Sequence, residues 1–115
     1  MTLDTFLQRL NEAPETIVFA DTLAVIDAYY DFTPTQFRNG DQINAAGQNN
    51  GSCKIFSFAR LHGLTPAQTL HCFGDYYRQD VLGHPEGTDH QNIRNFMVTG
   101  WGGVEFGGAA LASRR

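Results

Sequence analysis

The sequence predicts an α+β fold that is mostly α-helical, with about five short helices and a small two- or three-stranded antiparallel sheet. Apolar residues recur in several segments at the three- and four-residue spacing of amphipathic helices. Capping residues precede those segments. The pair Asn39-Gly40 is the one that a tight hairpin turn prefers. A chain of 115 residues suits one domain and is too short for two ordinary ones.

The first half of the chain is predicted to hold two helices and a hairpin. Apolar residues within 3–10 form the stripe of a first helix, for which Thr2 is the N-cap candidate, and the segment 11–14 ends it. Asp21 is expected to cap a second helix that runs through Tyr30. Further on, proline disfavours helix at the residue that precedes it, so Thr33-Pro34 precludes any extension. Residues 37–43 surround the hairpin turn and supply its two strands.

The second half is predicted to be mainly helical. A helix over 52–62 ends at Gly63, because glycine is the usual residue just past a helix C-terminus. Thr65 and Gln68 have the spacing of a capping box and open a helix that continues through Tyr77.

The chain is then predicted to finish with a helix, a strand and a tail. Thr88 and Gln91 form a second capping box, and the helix that they open ends at Gly100. Residues 101–106 follow as a short strand. From Gly107 the composition indicates a flexible C-terminal tail over 107–115, so the single domain has its core at about 3–106.

Charge and cysteine content exclude several classes of protein. The net charge of −4 and the single lysine leave no basic stripe for nucleic acid. No apolar run approaches the roughly 20 residues of a membrane span, so no membrane insertion is expected. Cys53 and Cys72 are too few for a disulfide framework or a zinc quartet. We expect two reduced thiols, and we predict no cofactor.

The first candidate ligand-binding segment is the loop from residue 47 to residue 54. A glycine-rich loop that opens a helix presents free backbone N–H groups and the positive end of the helix dipole, both of which favour an anion. A plain loop packed by its own amides is the alternative. The candidate residues are Gly47, Gln48, Asn49, Gly51, Ser52 and Lys54, the only lysine.

The second candidate segment runs from Asp80 to His90. Its candidate ligand-binding residues are His84, Asp89 and His90, and Arg94 follows in the next helix. Two histidines and three carboxylates within 80–90 could supply ligands for zinc or another divalent metal, with His84 and His90 as the candidate imidazoles. Their spacing matches no known metal motif, so no metal site is predicted. The alternatives are helix capping and an acid–base or substrate-binding role.

Cys53 and two tyrosine clusters allow two further interpretations. A thiol at a helix start has a lowered pKa and becomes a better nucleophile, whereas a buried Cys53 is a small hydrophobic residue. Tyr29-Tyr30 and Tyr76-Tyr77, each beside charged residues, have the composition of binding hot spots. Packing at the edge of the core is the alternative. No catalytic residue can be assigned.

Several long strings resemble a known family. They are Asp31-Phe32-Thr33-Pro34-Thr35, Ala46-Gly47-Gln48-Asn49, Gly51-Ser52-Cys53-Lys54, Phe73-Gly74-Asp75-Tyr76-Tyr77-Arg78, and Gly87-Thr88-Asp89-His90-Gln91-Asn92-Ile93-Arg94-Asn95-Phe96. Together they resemble the HopJ-type proteins, a family of type III effectors, over roughly 3–106. The resemblance implies a bacterial protein that a type III secretion system injects into a host cell. It brings no catalytic residue, cofactor or host target. Because residues 3–10 have a packed helical face, a resident cytoplasmic location is the alternative.

Three functions remain open from the sequence. The favoured one is a small binding or interaction protein whose partner is a host protein or a small anionic ligand. The alternative is a small enzyme, or an anion- or metal-binding domain, that uses the loops Gly47–Lys54 and Asp80–His90. The third is a structural or stress-related bacterial protein without a discrete ligand. A concave pocket that joins the two loops would favour the enzyme, and a convex surface with an exposed apolar patch would favour the interaction protein.

Overall fold

A computed structural model describes residues 1–114, and within them the predicted α+β, mostly α fold class is confirmed. The α-helices are α1 (Leu3–Glu12), α2 (Phe19–Tyr29), α3 (Asn50–Leu61), α4 (Pro66–His71) and α5 (Gln91–Thr99). The strands are β1 (Tyr30–Phe32), β2 (Phe37–Asn39), β3 (Gln42–Asn44), β4 (Val104–Phe106) and β5 (Leu111–Ser113). Short 3-10 helices cover Pro14–Thr16 and Gly100–Gly103, and a π-helix covers Tyr76–Val81. None of the helices in this range is long and apolar enough to cross a membrane.

Two of the predicted helix starts are confirmed and two are wrong. Thr2 caps α1, and Thr65 forms a complete capping box with Gln68 at α4. The second helix starts at Phe19, before Asp21, and it has no side-chain cap. The predicted capping box at Thr88 does not form, because α5 starts later, after His90.

The helix predicted from Thr65 through Tyr77 is interrupted at Gly74. Gly74 has a φ of +62°, in the left-handed region, so the α-helical hydrogen-bond pattern cannot continue through it. The chain resumes as the π-helix, a rare conformation that is frequent at functional sites. This interruption turns Tyr76 and Asp80 toward the start of α5.

The strands form two small antiparallel sheets. The predicted hairpin pairs β2 with β3, and β4 adds to the other edge of β2. In the second sheet, β5 pairs with β1, with Tyr30 opposite Ser113. The tail predicted for 107–115 therefore contains a strand. Ala110 and Leu111 of this segment are buried, and their apolar side chains close the core beside β1. Arg115 lies outside the described residues.

The core is built around α3, which is buried on most of its sides. Phe56 lies at the centre, fully buried. Its ring centroid is 4.9 Å from that of Phe96, 5.4 Å from Phe73 and 6.1 Å from Phe37. Aromatic pairs at such separations pack favourably. They connect the sheet, the turn after α4 and α5 to the central helix, and this arrangement fixes both ends of α3 in space.

Candidate functional site

The starts of α3 and α5 face each other across a cavity of about 430 Å³, which we call the α3–α5 cleft. Gly51 and Ser52 contribute from α3, residues 91–93 from α5, and Thr88 and His90 from the segment just before α5. Phe19, Phe73 and Tyr76 form an aromatic wall, and Gln42 of β3 and Asn49 contribute amide groups. The cleft therefore joins the two loops that the sequence singled out, and its volume is within the range of small-ligand sites.

Both helices begin after a residue in the left-handed conformation. Asn49 has a φ of 53° and His90 a φ of 49°, and neither side chain caps its helix. Asparagine and histidine are among the non-glycine residues that adopt this conformation most often. Among residues 1–114, no acceptor takes the backbone N–H groups of Gly51, Ser52 or residues 91–92. The two helix starts thus present free donors to one cleft.

The His90 imidazole is held by the π-helix. Its Nε2 lies 3.1 Å from a carboxylate oxygen of Asp80 and 3.9 Å from one of Asp89. The ring lies over Tyr76, with centroids 4.9 Å apart and planes at 33°. Because Tyr76 and Asp80 are one π-helical turn apart, the same short element supplies both contacts. This fixes the ring at the edge of the cleft and gives it a hydrogen-bonded carboxylate partner.

A network of amide side chains holds the polar side of the cleft. Asn44 is fully buried, and its Oδ1 accepts hydrogen bonds from Gln42 at 3.0 Å, Asn49 at 2.7 Å and Asn92 at 2.9 Å. The Nδ2 of Asn39 donates to the backbone oxygen of Asn92 at 2.7 Å. One buried side chain of β3 therefore positions groups from both walls. The Oε1 of Gln42 is buried and has no hydrogen-bond partner within residues 1–114, so it can accept from a ligand.

The structure brings together part of the first predicted segment. Asn49, Gly51 and Ser52 line the cleft. Gly47 is exposed outside it, and the Oε1 of Gln48 accepts from the backbone of Ala45.

Lys54, which was expected to assist an anion, does not line the cleft. Its Nζ lies 2.8 Å from a carboxylate oxygen of Asp27 and 5.1 Å from the ring centroid of Phe32. This ion pair turns the only lysine toward α2. Any positive potential in the cleft must come from the helix starts.

Of the candidate residues in the second predicted segment only His90 lines the cleft, together with Thr88, which was not a candidate ligand. His84 belongs to the turn at 83–87. Arg94 donates to a carboxylate oxygen of Asp89 at 2.6 Å and to the backbone oxygen of His84 at 2.9 Å. The hydrogen bond from Arg94 holds the pKa of the Asp89 carboxyl below its usual range. Within residues 1–114, no group of three His, Cys, Asp or Glu side chains could hold a metal ion.

Sequence reasoning missed most of the network. The four asparagines are Asn39, Asn44, Asn49 and Asn92, and no local spacing connects 92 with the rest. Tyr76 was interpreted only as part of a hot spot or of the core edge. The seven asparagines and seven glutamines of the sequence are the one available signal, and this composition does not say which amides meet.

Cys53 is not arranged as a nucleophile. Its side chain is buried, and its sulfur lies 3.5 Å from the backbone oxygen of Thr35. Burial raises the pKa of the Cys53 thiol and raises that of Cys72 to about 12. Both cysteines carry free thiols. A helix start lowers a thiol pKa only when the thiolate is accessible to the dipole and to solvent, so the structure favours the buried small hydrophobic residue.

We therefore expect Cys53 of the folded protein to react with iodoacetamide near pH 7 more slowly than free cysteine, because its thiol is buried and protonated. Mass spectrometry of labelled peptides measures the rate, and labelling in denaturant is the control, in which both cysteines react. A native rate at or above that of free cysteine would contradict this prediction.

Two comparisons with known proteins give a match, one to a family and one to a solved structure. The model of the family described as HopJ type III effector protein matches residues 3–111. The fold superimposes on the crystal structure of the unknown function protein VPA0580 with a TM-score of 0.98. That similarity extends over 99% of this chain and 95% of the other, at 56% sequence identity. No curated protein matches the sequence.

Proposed function

The chain belongs to the HopJ type III effector family, and on that premise we propose that it is a small binding protein whose α3–α5 cleft holds a small anionic ligand. The observation that carries the proposal is the convergence of two uncapped helix starts on one cavity. Each start adds a partial positive charge and free N–H donors, the combination with which proteins bind phosphate and carboxylate groups.

The charges around the cleft support an anion. No aspartate or glutamate lines its walls, and the Asp80 carboxylate is engaged by His90. An anionic group would therefore meet no carboxylate on the cleft walls, and the nearby carboxylates of Asp80 and Asp89 are paired with His90 and Arg94. On the opposite side, Phe19, Phe73 and Tyr76 offer apolar surface to the rest of the ligand. This mixture of an aromatic wall and a few fixed polar groups is typical of small-molecule sites.

Inorganic phosphate is the probe for a first test, and Ser52→Asp is the variant. A carboxylate at this position occupies the free N–H groups of α3 and repels an anion, while its interaction with the helix dipole keeps the helix stable. We expect the phosphate affinity to fall by about tenfold or more, with no loss of thermal stability. Amide NMR shifts of Gly51, Ser52, Gln91 and Asn92 during a phosphate titration report the binding.

Gln48→Glu is the matched control. It makes the same change in net charge just outside the cleft, and its carboxylate can still accept from the backbone of Ala45. This variant should bind phosphate almost as the natural protein does. Equal affinities for the two variants, or an absence of phosphate-induced shifts at the cleft amides, would overturn anion binding there.

A small enzyme is the second candidate function, favoured by the concave cleft that joins the two loops and by the His90–Asp80 pair at its edge. Binding ranks first because His90 is the only imidazole, carboxylate or thiol among the residues that line the cleft. An imidazole oriented by a carboxylate at the edge of a ligand site is the arrangement of a general base. Asp80→Asn separates the two functions. The variant should leave the affinity for the ligand nearly unchanged in both cases, and in an enzyme it should in addition lower the turnover.

The effector description of the family concerns where its members act. Because this description supports it, our proposal includes action inside a host cell after type III secretion. None of the cleft contacts depends on that location, so the same titration applies to a translocated and to a resident protein.

A further inference from the structure

A second cavity, of about 320 Å³, lies beside the C-terminal half of α3, against the segment that leads into β5. We call it the α3–β5 pocket. Its apolar walls are Leu61, Phe106 and residues 109–111. It shares no lining residue with the α3–α5 cleft, which is at the other end of the helix. It can therefore bind a ligand of its own.

Arg60 supplies a positive charge to this pocket without a carboxylate partner. Its Nη2 donates to the backbone oxygen of Val104 at 2.9 Å, and its guanidinium lies 5.2 Å from the ring centroid of Trp101. No carboxylate of residues 1–114 forms an ion pair with it, whereas the arginines 38, 78, 94 and 114 each have one. A guanidinium has five N–H donors in a fixed fork, so most of the donors of Arg60 are available.

Ser57 adds a buried hydroxyl that lacks a strong partner. The residue is only 9% exposed and lines the pocket, and within residues 1–114 its Oγ has no hydrogen-bond partner apart from the Cys53 thiol one turn earlier in α3. A thiol is only a weak partner, and the Cys53 sulfur is directed to the oxygen of Thr35. A buried hydroxyl with only a weak partner is costly, so an added acceptor at this position is favourable.

The C-terminus of α3 does not repel an anion in the α3–β5 pocket. The backbone oxygens of Phe58, Ala59 and Arg60 accept N–H groups from residues 62–64. These bonds neutralise most of the partial negative charge that a helix C-terminus otherwise carries. The charge at this end of the helix is therefore dominated by the guanidinium.

We propose that the α3–β5 pocket binds a small monocarboxylate with an apolar body. Its carboxylate takes the free N–H donors of Arg60 and the O–H of Ser57, and its body packs against Leu61 and Ala110. Arginine binds carboxylates through two parallel hydrogen bonds, and the apolar walls exclude a bare ion such as phosphate. The proposal concerns a site separate from the cleft, so it stands or fails independently of the proposed function.

Sodium hexanoate is the probe, and amide NMR titration of the whole chain is the measurement. We expect shifts at residues 57–61 and 108–111 and none at the cleft amides. Hexan-1-ol, which has the same body without the charge, should bind at least about tenfold more weakly. Equal binding of the alcohol and the acid would overturn recognition of a carboxylate. An absence of hexanoate-induced shifts at these residues would overturn the pocket as a site.

Two variants test the named donors. Arg60→Gln should weaken hexanoate binding by about tenfold or more, since a hydrogen bond to a charged group is lost. Arg9→Gln makes the same change of charge on α1, outside the pocket, and should leave binding unchanged. Ser57→Ala should weaken binding by about threefold and leave the melting temperature of the free protein unchanged or raised, because it removes a buried polar group that has only a weak partner. Undiminished binding in Arg60→Gln and Ser57→Ala would contradict the assignment.

Discussion

Replacing Asn44 by aspartate is expected to lower the free energy of unfolding by about 3–5 kcal/mol at pH 7, the effect of an unpaired buried charge. The Nδ2 of Asn44 lies 3.2 Å from the Oδ1 of Asn92 and 3.4 Å from the backbone oxygen of Phe37. In the variant a carboxylate oxygen faces these two acceptors in a fully buried position. Chemical denaturation at pH 7 measures the loss.

The loss has a definite dependence on pH. Burial raises the pKa of the new carboxyl in the folded state above its unfolded value of about 3.9. The folded variant then binds the proton more tightly than the unfolded variant does. As the pH rises from the unfolded pKa through the folded pKa, the variant therefore loses stability relative to the natural protein. The difference in unfolding free energy should therefore be smaller at pH 5 than at pH 7.

Asn50→Asp is the matched control for this experiment. Asn50 is exposed in the first turn of α3, where a carboxylate interacts favourably with the helix dipole. We expect its unfolding free energy to change by no more than about 0.5 kcal/mol. If Asn44→Asp were as stable as this control, the amide network would not position the cleft.

Phosphate binding should fail in Asn44→Asp, since the side chains of Asn49 and Asn92 lose their common support.

Gly74→Ala is expected to lower the free energy of unfolding by about 2–5 kcal/mol, from two effects. The left-handed conformation costs a residue with a Cβ about 1–2 kcal/mol. In addition, a Cβ at Gly74 would lie 2.6 Å from the backbone nitrogen of Phe19, so the backbone must move, and such overpacking costs about 1–3 kcal/mol. Because Phe19 belongs to the aromatic wall of the cleft, phosphate affinity should fall as well.

Gly63→Ala separates the two effects. Gly63 has the same φ of +62° but has nothing within 4 Å of an added Cβ. Its substitution should cost only the conformational part, about 1–2 kcal/mol, and leave the cleft unchanged. Thermal and urea denaturation of both variants measure the difference. Equal losses of unfolding free energy in the two variants would mean that the close approach of Gly74 to α2 adds no cost to the substitution.

The elements that the sequence predicted correctly are those that neighbouring residues determine. Thr2 caps α1 because its hydroxyl reaches an N–H group three residues later, and the Thr65–Gln68 box has the same local origin. The β2–β3 hairpin forms around Asn39-Gly40, where the φ of +61° at Gly40 suits glycine. The elements missed need a distant partner: β5 exists because it pairs with β1, about eighty residues earlier in the chain.

The residues of the candidate site also divide into those that neighbouring residues predict and those that depend on a distant partner. Glycine and asparagine at 47–51 predict a loop that opens a helix, and Asn49, Gly51 and Ser52 do line the cleft. Lys54 was in the right segment, but the ion pair with Asp27 of α2 removes it from the cleft. No spacing in the sequence could show that pair, since it depends on how α2 packs against α3.

The sequence alone determined the fold class, the resemblance to the HopJ family and the helix starts at Thr2 and Thr65, because capping, turn formation and hydrophobic periodicity act over a few residues. The tertiary structure decided which helix starts meet. Asn44 joins the two walls through hydrogen bonds to Gln42, Asn49 and Asn92, and the π-helix brings Asp80 to His90. These contacts connect segments separated by up to 48 residues, and they depend on the packing around Phe56 that holds α3 in place.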